Sequence, residues 1–225
     1  LKNPDNLVYF VKETFQIQWD MVQRILYIGI PSGIENGLFQ LGRVLVVSII
    51  SGFGTIQIAA NGVANNLDAM GCIAGQAMSL AMITVIGQCV GAQDEKQIRH
   101  YAKKLLLITY VMTAAICSAI LLGLNPILSL YGLSSETTRL AWILVMIHDG
   151  FAMLLWPIAF VLPNMLRACN DVRFTMVVSI FSMFAFRIGF SYVFGIRMEM
   201  GAIGVWIAMV MDWIFRASLF VWRYR

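Results

Sequence analysis

Six long apolar segments dominate the sequence and constrain its fold more than any other feature. A helix rises about 1.5 Å per residue, so about 20 apolar residues cross the hydrocarbon core of a bilayer. Only 12% of the residues are charged, against about 25% in soluble domains, which leaves too few to cover a soluble fold. We therefore predict an all-α, polytopic membrane bundle of six transmembrane helices near residues 25–51, 57–91, 102–124, 138–165, 173–195 and 201–222.

The segments at the two ends differ from this six-helix lobe, which covers residues 25–222. Apolar and charged residues are interspersed over 1–24, a pattern typical of an amphipathic helix that lies in the membrane interface. A plain solvated linker is the alternative for that lead-in. Residues 223–225 are predicted to form a short cytoplasmic tail.

The basic residues collect on one side of the predicted topology. With the N-terminus inside, twelve lie on the inner side and two, Arg139 and Arg197, on the outer side; the inner ones are Lys2, Lys12, Arg24, Lys96, Arg99, Lys103, Lys104, Arg167, Arg173, Arg216, Arg223 and Arg225. Cytoplasmic loops carry such an excess, so both termini are predicted to be cytoplasmic, in the plasma membrane. The net charge of +4 could suggest a nucleic-acid partner. The charges lie between apolar runs and not along one face, so we predict a lipid bilayer as the partner and no nucleic acid.

Glycines and prolines predict irregular helices. The second apolar segment is too long for a straight span, so we expect a bend or an unwound entry near residues 52–55. The fourth segment contains Pro157 and Pro163, each of which removes a backbone donor and clashes with the preceding turn. We expect this helix to kink, and kinked membrane helices favour cavity walls.

Four short motifs, in order and in register with the six segments, resemble one transporter family. Residues 87–94 (GQCVGAQD) resemble a G-Q-x-x-G-A-x-D element, and residues 31–36 (PSGIEN), 54–65 (GTIQIAANGVAN) and 166–171 (LRACND) resemble three further elements of the same family. The family is that of the multidrug and toxic compound extrusion (MATE) transporters. The resemblance covers about residues 20–222.

This resemblance implies the C-terminal six-helix lobe of a twelve-helix antiporter. Such a protein exports organic, often cationic, compounds in exchange for Na⁺ or H⁺, and a homologous N-terminal six-helix lobe would be its partner, outside this chain. Many members carry an acid at the position of Phe39, and some carry one at the position of Trp156. Here the acid of the first span is Glu35, one turn before Phe39.

Acids within predicted spans are the strongest candidates for function, since an intramembrane charge costs roughly 2.5–3.5 kcal/mol on insertion scales. Glu35, Asp68, Asp149 and Asp212 all come near mid-depth. Glu35 is predicted to carry substrate recognition or ion coupling, with Na⁺ held by its carboxylate and by carbonyls that Pro31 frees. The alternative is that Glu35 only packs against a neighbouring helix.

The predicted substrate or ion site draws on polar and aromatic residues of the first, second and fourth spans. These candidates are Glu35, Asn36, Phe39, Gln40, Arg43, Asn61, Asp68, His148, Asp149 and Trp156. His148 and Asp149 either relay protons or form a satisfied buried pair, and Arg43 lies two turns beyond Glu35, within reach of an ion pair through a neighbour. Arg187 and Asp212 are predicted to be structural partners, with Arg216 as the rival partner of Asp212.

The four cysteines, Cys72, Cys89, Cys117 and Cys169, lack C-x-x-C spacing and are predicted to be buried free thiols, not metal ligands or disulfides. Trp206, Trp213 and Trp222 are predicted to face lipid or anchor the interface.

The sequence contains no P-loop, H-E-x-x-H or G-x-S-x-G motif, so no enzyme and no cofactor beyond the coupling ion is predicted. Two alternatives to an antiporter remain. One is a flippase for lipid-linked saccharides from the same wider superfamily, which a strongly cationic cavity would favour. The other is a non-transporting membrane assembly protein, which predicts no alignment of acids at mid-depth.

Overall fold

The computed structural model describes residues 18–225, and in that part of the chain every regular element is a helix. Six helices are long and apolar enough to cross a membrane: span 1 (Trp19–Ser51), span 2 (Thr55–Gly91), span 3 (Glu95–Leu122), span 4 (Ser135–Ala168), span 5 (Val172–Arg197) and span 6 (Gly201–Tyr224). A short helix, Leu124–Leu130, lies between spans 3 and 4. The prediction of an all-α bundle with six transmembrane helices is confirmed.

Several helices begin before the apolar runs that identify them in the sequence. Span 1 begins at Trp19, inside the predicted lead-in 1–24, and residues 1–17 of that lead-in lie outside the described residues. Span 3 begins directly after Asp94, whose side chain accepts a hydrogen bond from the backbone N–H of Gln97 at 3.0 Å. Such a cap satisfies a donor that a helix start leaves free. Hydropathy marks only the most apolar part of each helix and misses these polar first turns.

The helices depart from regular α geometry at three places. A tight turn at residues 52–54 joins spans 1 and 2, where Gly54 has a φ of 99° that favours glycine. Span 4 is π-helical over Pro157–Val161, which agrees with the expectation that proline disturbs this helix. Span 5 is π-helical over Met183–Gly189 and Ser191–Arg197, which the sequence did not predict.

Small residues let the spans approach closely. Span 2 packs against spans 3 and 4, and span 6 packs against spans 4 and 5. A Cβ atom added at Gly75 would lie 2.0 Å from Cζ3 of Trp156, and one added at Gly204 would lie 2.7 Å from the backbone of Phe194. Only 17% of the residues in the most apolar stretch of span 1 are buried, whereas 61% are buried in the corresponding stretch of span 6. Span 1 therefore lies at the edge of the bundle.

Candidate functional site

Spans 2 and 4 together build a buried cluster around one histidine. His148 Nε2 lies 2.5 Å from Asp68 Oδ1, and His148 Nδ1 lies 2.8 Å from Asp149 Oδ1. The Sγ of Cys72, one turn beyond Asp68 on span 2, donates a hydrogen bond to Asp68 Oδ1 at 3.3 Å. His148 and Asp149 are buried, whereas 22% of the Asp68 side chain is exposed. We call Asp68, Cys72, His148 and Asp149 the histidine cluster.

Two tryptophans of span 6 cover the histidine cluster. The ring of Trp206 lies 5.7 Å from the His148 ring and that of Trp213 lies 5.0 Å away, both edge to face. Trp206 Nε1 also donates a hydrogen bond to Asn61 Oδ1 at 3.0 Å. The prediction that both tryptophans face lipid is wrong, since they are 3% and 2% exposed. A buried indole needs a partner for its N–H, and polar Asn61 supplies one for Trp206.

Charged residues of spans 1, 4, 5 and 6 form a second group, the arginine network. It consists of Glu35, Arg167, Arg187, Asp212 and Arg216. Arg187 Nη1 lies 3.8 Å from Asp212 Oδ2, and Asp212 accepts a hydrogen bond from Ser182. Arg216 Nη2 donates to Ser179 Oγ at 3.0 Å, and the attraction of Arg216 to Asp212 and Glu35 links the network together.

The aromatic ring of Phe39 lies between two arginines. Arg187 and Arg216 each place the guanidinium carbon 5.6 Å from its centroid, and Arg216 also lies 4.6 Å from the Phe160 ring. Cations are attracted to aromatic faces, so these rings hold the guanidinium groups. Phe39 stands where many relatives were expected to carry an acid, and here it contacts two fixed cations.

Glu35 of span 1 pairs with an arginine of span 4. Its Oε1 lies 2.5 Å from Nη2 of Arg167, and Nη1 of Arg167 donates to Asn164 Oδ1 at 2.7 Å. Glu35 is 6% exposed. The direct partner of Glu35 is therefore Arg167, which the sequence had assigned to the inner side, whereas for Arg43 the sequence proposed only an ion pair through a neighbour. A Na⁺ ion at Glu35 would have to compete with this guanidinium.

The remaining predicted site residues fall into two groups. Arg43 and Arg187 line a cavity of about 60 Å³ together with Asn61 and Trp206, which has room for about two waters. The others lie apart from it: Asn36 and Gln40 are exposed on span 1, and Trp156 is buried against Gly75 and stacks on Phe160 at 5.0 Å.

The prediction that all four cysteines are buried needs one correction. Cys72, Cys89 and Cys117 are buried, whereas Cys169 is exposed in the turn between spans 4 and 5. Partial burial, and then the charge of Asp171, raise the pKa of the Cys169 thiol above its ordinary value. The thiol is therefore accessible to reagents but carries less reactive thiolate at neutral pH than a free cysteine.

A bundle of six membrane-spanning helices with buried, mutually paired charges defines the class of this chain: a polytopic membrane protein whose polar groups lie inside the helix bundle. More specifically, the chain belongs to the MatE family, whose sequence profile matches residues 31–193. This agrees with the resemblance that the four motifs indicated.

The individual relatives are distant in sequence and close in fold. The chain is 22% identical to the probable multidrug resistance protein NorM of Thermotoga maritima, over 94% of the chain and 47% of that protein. It is 23% identical to the probable multidrug resistance protein YoeA of Bacillus subtilis, over 99% of the chain and 49% of that protein. The chain thus spans about half the length of these curated relatives.

Solved structures show the same relationship. A MOP superfamily transporter from Pyrococcus furiosus, described by the reverse polarity of its binding pocket, superposes with a TM-score of 0.86 at 19% identity, over 97% of this chain and 49% of that one. An outward-facing multidrug resistance MATE family transporter gives a TM-score of 0.85 at 20% identity, over the same shares. At this identity the likeness establishes the fold.

Proposed function

We propose that this chain is the C-terminal lobe of an antiporter that exports organic, chiefly cationic, compounds in exchange for Na⁺ or H⁺. Membership of the MatE family and the six-span fold support transport as the function. A homologous N-terminal lobe, outside this chain, would complete the transporter, since the matched relatives are about twice as long.

The observation that carries this proposal is the number of ionisable side chains kept inside the spans. Four acids and two arginines, Glu35, Asp68, Asp149, Asp212, Arg187 and Arg216, lie within the helix bundle. Each would cost about 2.5–3.5 kcal/mol at mid-membrane on insertion scales. A protein that only assembles other membrane proteins has no need of such groups, whereas a transporter uses them for its substrate or its coupling ion.

The proposed orientation places both termini in the cytoplasm, in the plasma membrane. In this arrangement the turns at 92–94 and 169–171 face the cytoplasm, and the connections at 52–54 and 198–200 face outward. The basic residues support this orientation. Of the twelve that the sequence assigns to the inner side, Arg216 is buried within span 6, and the other eleven would still outnumber the two on the outer side.

Efflux of ethidium from cells that make the full-length protein tests the proposal. We expect ethidium to leave wild-type cells. When the Na⁺ and proton gradients are collapsed in turn, efflux should stop with one of them, which identifies the coupling ion. In Glu35→Gln, which removes a buried charge beside Arg167, efflux should no longer follow the gradient. Glu136→Gln, at an exposed acid in the first turn of span 4, is the matched control and should behave as wild type. Gradient-independent efflux by the wild type would contradict the antiport.

A flippase for lipid-linked saccharides is the second candidate, and one observation favours it. Arg43 and Arg187 line the same cavity, and two guanidinium groups suit the phosphate groups of such a lipid better than an organic cation. Arg43→Gln separates the two functions. It should impair lipid-linked saccharide export if the flippase is right, and it should leave or increase the efflux of cationic compounds if the antiporter is right.

A further inference from the structure

We propose that the histidine cluster binds a divalent transition-metal ion of the Zn²⁺ type through Asp68, Cys72 and His148. The donor atoms of these three residues all lie within 4.8 Å of one another. One sulfur, one imidazole nitrogen and one carboxylate oxygen form a ligand set that Zn²⁺ accepts, whereas Na⁺, Ca²⁺ and Mg²⁺ prefer oxygen alone. This goes beyond the proposed efflux function and does not depend on it.

Of the two distances between ligand atoms, one matches a tetrahedral site and the other is too short. Bond lengths of about 2.3 Å to sulfur and about 2.0 Å to nitrogen and oxygen put the sulfur about 3.5 Å from the oxygen, and the nitrogen about 3.3 Å from it. Cys72 Sγ already lies 3.3 Å from Asp68 Oδ1. His148 Nε2 lies 2.5 Å from the same oxygen, so these two atoms need to separate by about 0.8 Å.

The surrounding residues hold the ligands in suitable positions. Asp68 and Cys72 are one turn apart on span 2, so a single helix fixes their spacing. Asp149 Oδ1 lies 2.8 Å from His148 Nδ1, which leaves Nε2 to face the ion, the arrangement in which a carboxylate orients a metal-binding histidine. The close contact of Nε2 with Asp68 is not aligned as a hydrogen bond.

A metal binds the deprotonated form of its ligands, so binding at this site releases the thiol proton of Cys72. Asp68 is the one proposed ligand whose side chain is partly exposed, at 22%, so the ion reaches the site past this carboxylate. The sequence analysis named Asp68 and His148 as site candidates but predicted that Cys72 is not a metal ligand, because Cys72 and His148 are 76 positions apart and only the fold brings them together.

Cobalt(II) titration of the full-length protein in detergent tests this proposal, since a cysteine ligand gives Co²⁺ a sulfur charge-transfer absorption. We expect one Co²⁺ per protein chain with this absorption, displaced by Zn²⁺. Cys72→Ser should abolish the absorption and weaken binding at least tenfold, and Asp149→Asn should weaken binding about 10–100-fold. Cys89→Ser, another buried cysteine of span 2, is the matched control and should bind as wild type.

The proposal is overturned if wild-type protein gives no sulfur absorption with Co²⁺, or if Cys72→Ser and Cys89→Ser bind alike. Should Cys72→Ser fail to fold, alkylation of Cys72 in the unsubstituted protein gives a second measure. Zn²⁺ should slow this alkylation at least tenfold, and an unchanged rate would contradict the site. Since both readouts report metal occupancy, their failure leaves the efflux proposal standing.

Discussion

Removal of Asp212 should destabilise the bundle more than removal of its ion-pair partner Arg187. Asp212 is fully buried and lies 3.8 Å from Arg187. At that distance two unit charges attract by about 4 kcal/mol for an effective dielectric constant of about 20. Asp212→Asn leaves Arg187 without its ion-pair partner and removes one of the two acids that attract the buried Arg216, Glu35 being the other. Arg187→Met leaves Asp212 with the attraction of Arg216.

The expected sizes follow from the cost of breaking a buried ion pair. Removing one partner of such a pair costs about 3–5 kcal/mol, and in a domain of this size each kcal/mol lowers Tm by about 2–4 °C. We expect Arg187→Met to lower the apparent Tm by about 10 °C and Asp212→Asn to lower it further. The double variant Arg187→Met/Asp212→Leu should be more stable than Asp212→Asn, because fewer charges remain unpaired.

The assay is the fraction of monodisperse protein that remains in detergent after heating, measured by size-exclusion chromatography. All three variants are compared with wild type in the same detergent. Two results would contradict this role of Asp212. One is an equal loss of monodisperse protein in Arg187→Met and Asp212→Asn, and the other is a double variant that retains no more monodisperse protein than the worse single variant. Either result would mean that Asp212 does not balance the charge of two arginines.

Three further predictions follow from single contacts. Gly204→Ala should cost about 1–3 kcal/mol, because its Cβ would collide with the backbone of span 5, whereas Gly87→Ala has open space and should be neutral or stabilising. Trp206→Phe should cost about 1–3 kcal/mol, because it leaves the buried Asn61 oxygen without its donor. The thermal stability of the glycine variants and of Trp206→Phe is measured in the same way. An impermeant maleimide should label the exposed Cys169 in inside-out vesicles and not in intact cells. Labelling should become faster as the pH rises, because the raised pKa of this thiol leaves little thiolate at neutral pH.

Each of these predictions has a contradicting result. Equal stability of Gly204→Ala and Gly87→Ala would mean that the backbones of spans 5 and 6 do not approach each other closely at Gly204. Wild-type stability of Trp206→Phe would mean that water replaces the indole. Labelling of Cys169 in intact cells, absent from a Cys169→Ala control, would reverse the proposed orientation.

The number and class of the helices could be predicted because hydrophobic length is a local property. Each apolar run exceeds the length that a bilayer requires, and no tertiary contact is needed to see it. The π-helical second half of span 5 could not be predicted, since Ser182 to Arg197 contains no proline. In this stretch the backbone of Phe194 lies close to Gly204 of span 6, a contact that the sequence does not reveal.

The acids within the spans were also predictable, and Arg187 and Asp212, which the sequence predicted as partners, lie 3.8 Å apart. The place of Arg167 and Arg216 inside the bundle and the partner of Glu35 were not predictable. The cost of a membrane-buried charge singles out Glu35 and His148 in the sequence alone. That Glu35 pairs with Arg167 depends on the contact of residues 132 positions apart. Trp213 was misassigned for the same reason: hydropathy treats a tryptophan that faces lipid and one that packs on His148 alike.

Uphill transport by the purified full-length protein in sealed vesicles tests whether this protein is an ion-coupled antiporter. Ethidium is placed at equal concentration on both sides, and an inward-directed gradient of Na⁺ or of protons is imposed across the membrane. We expect one of the two gradients to drive ethidium out against its own concentration difference, and an ionophore for that ion to abolish the movement. Ethidium that only equilibrates under both gradients would show that this protein is not an ion-coupled antiporter.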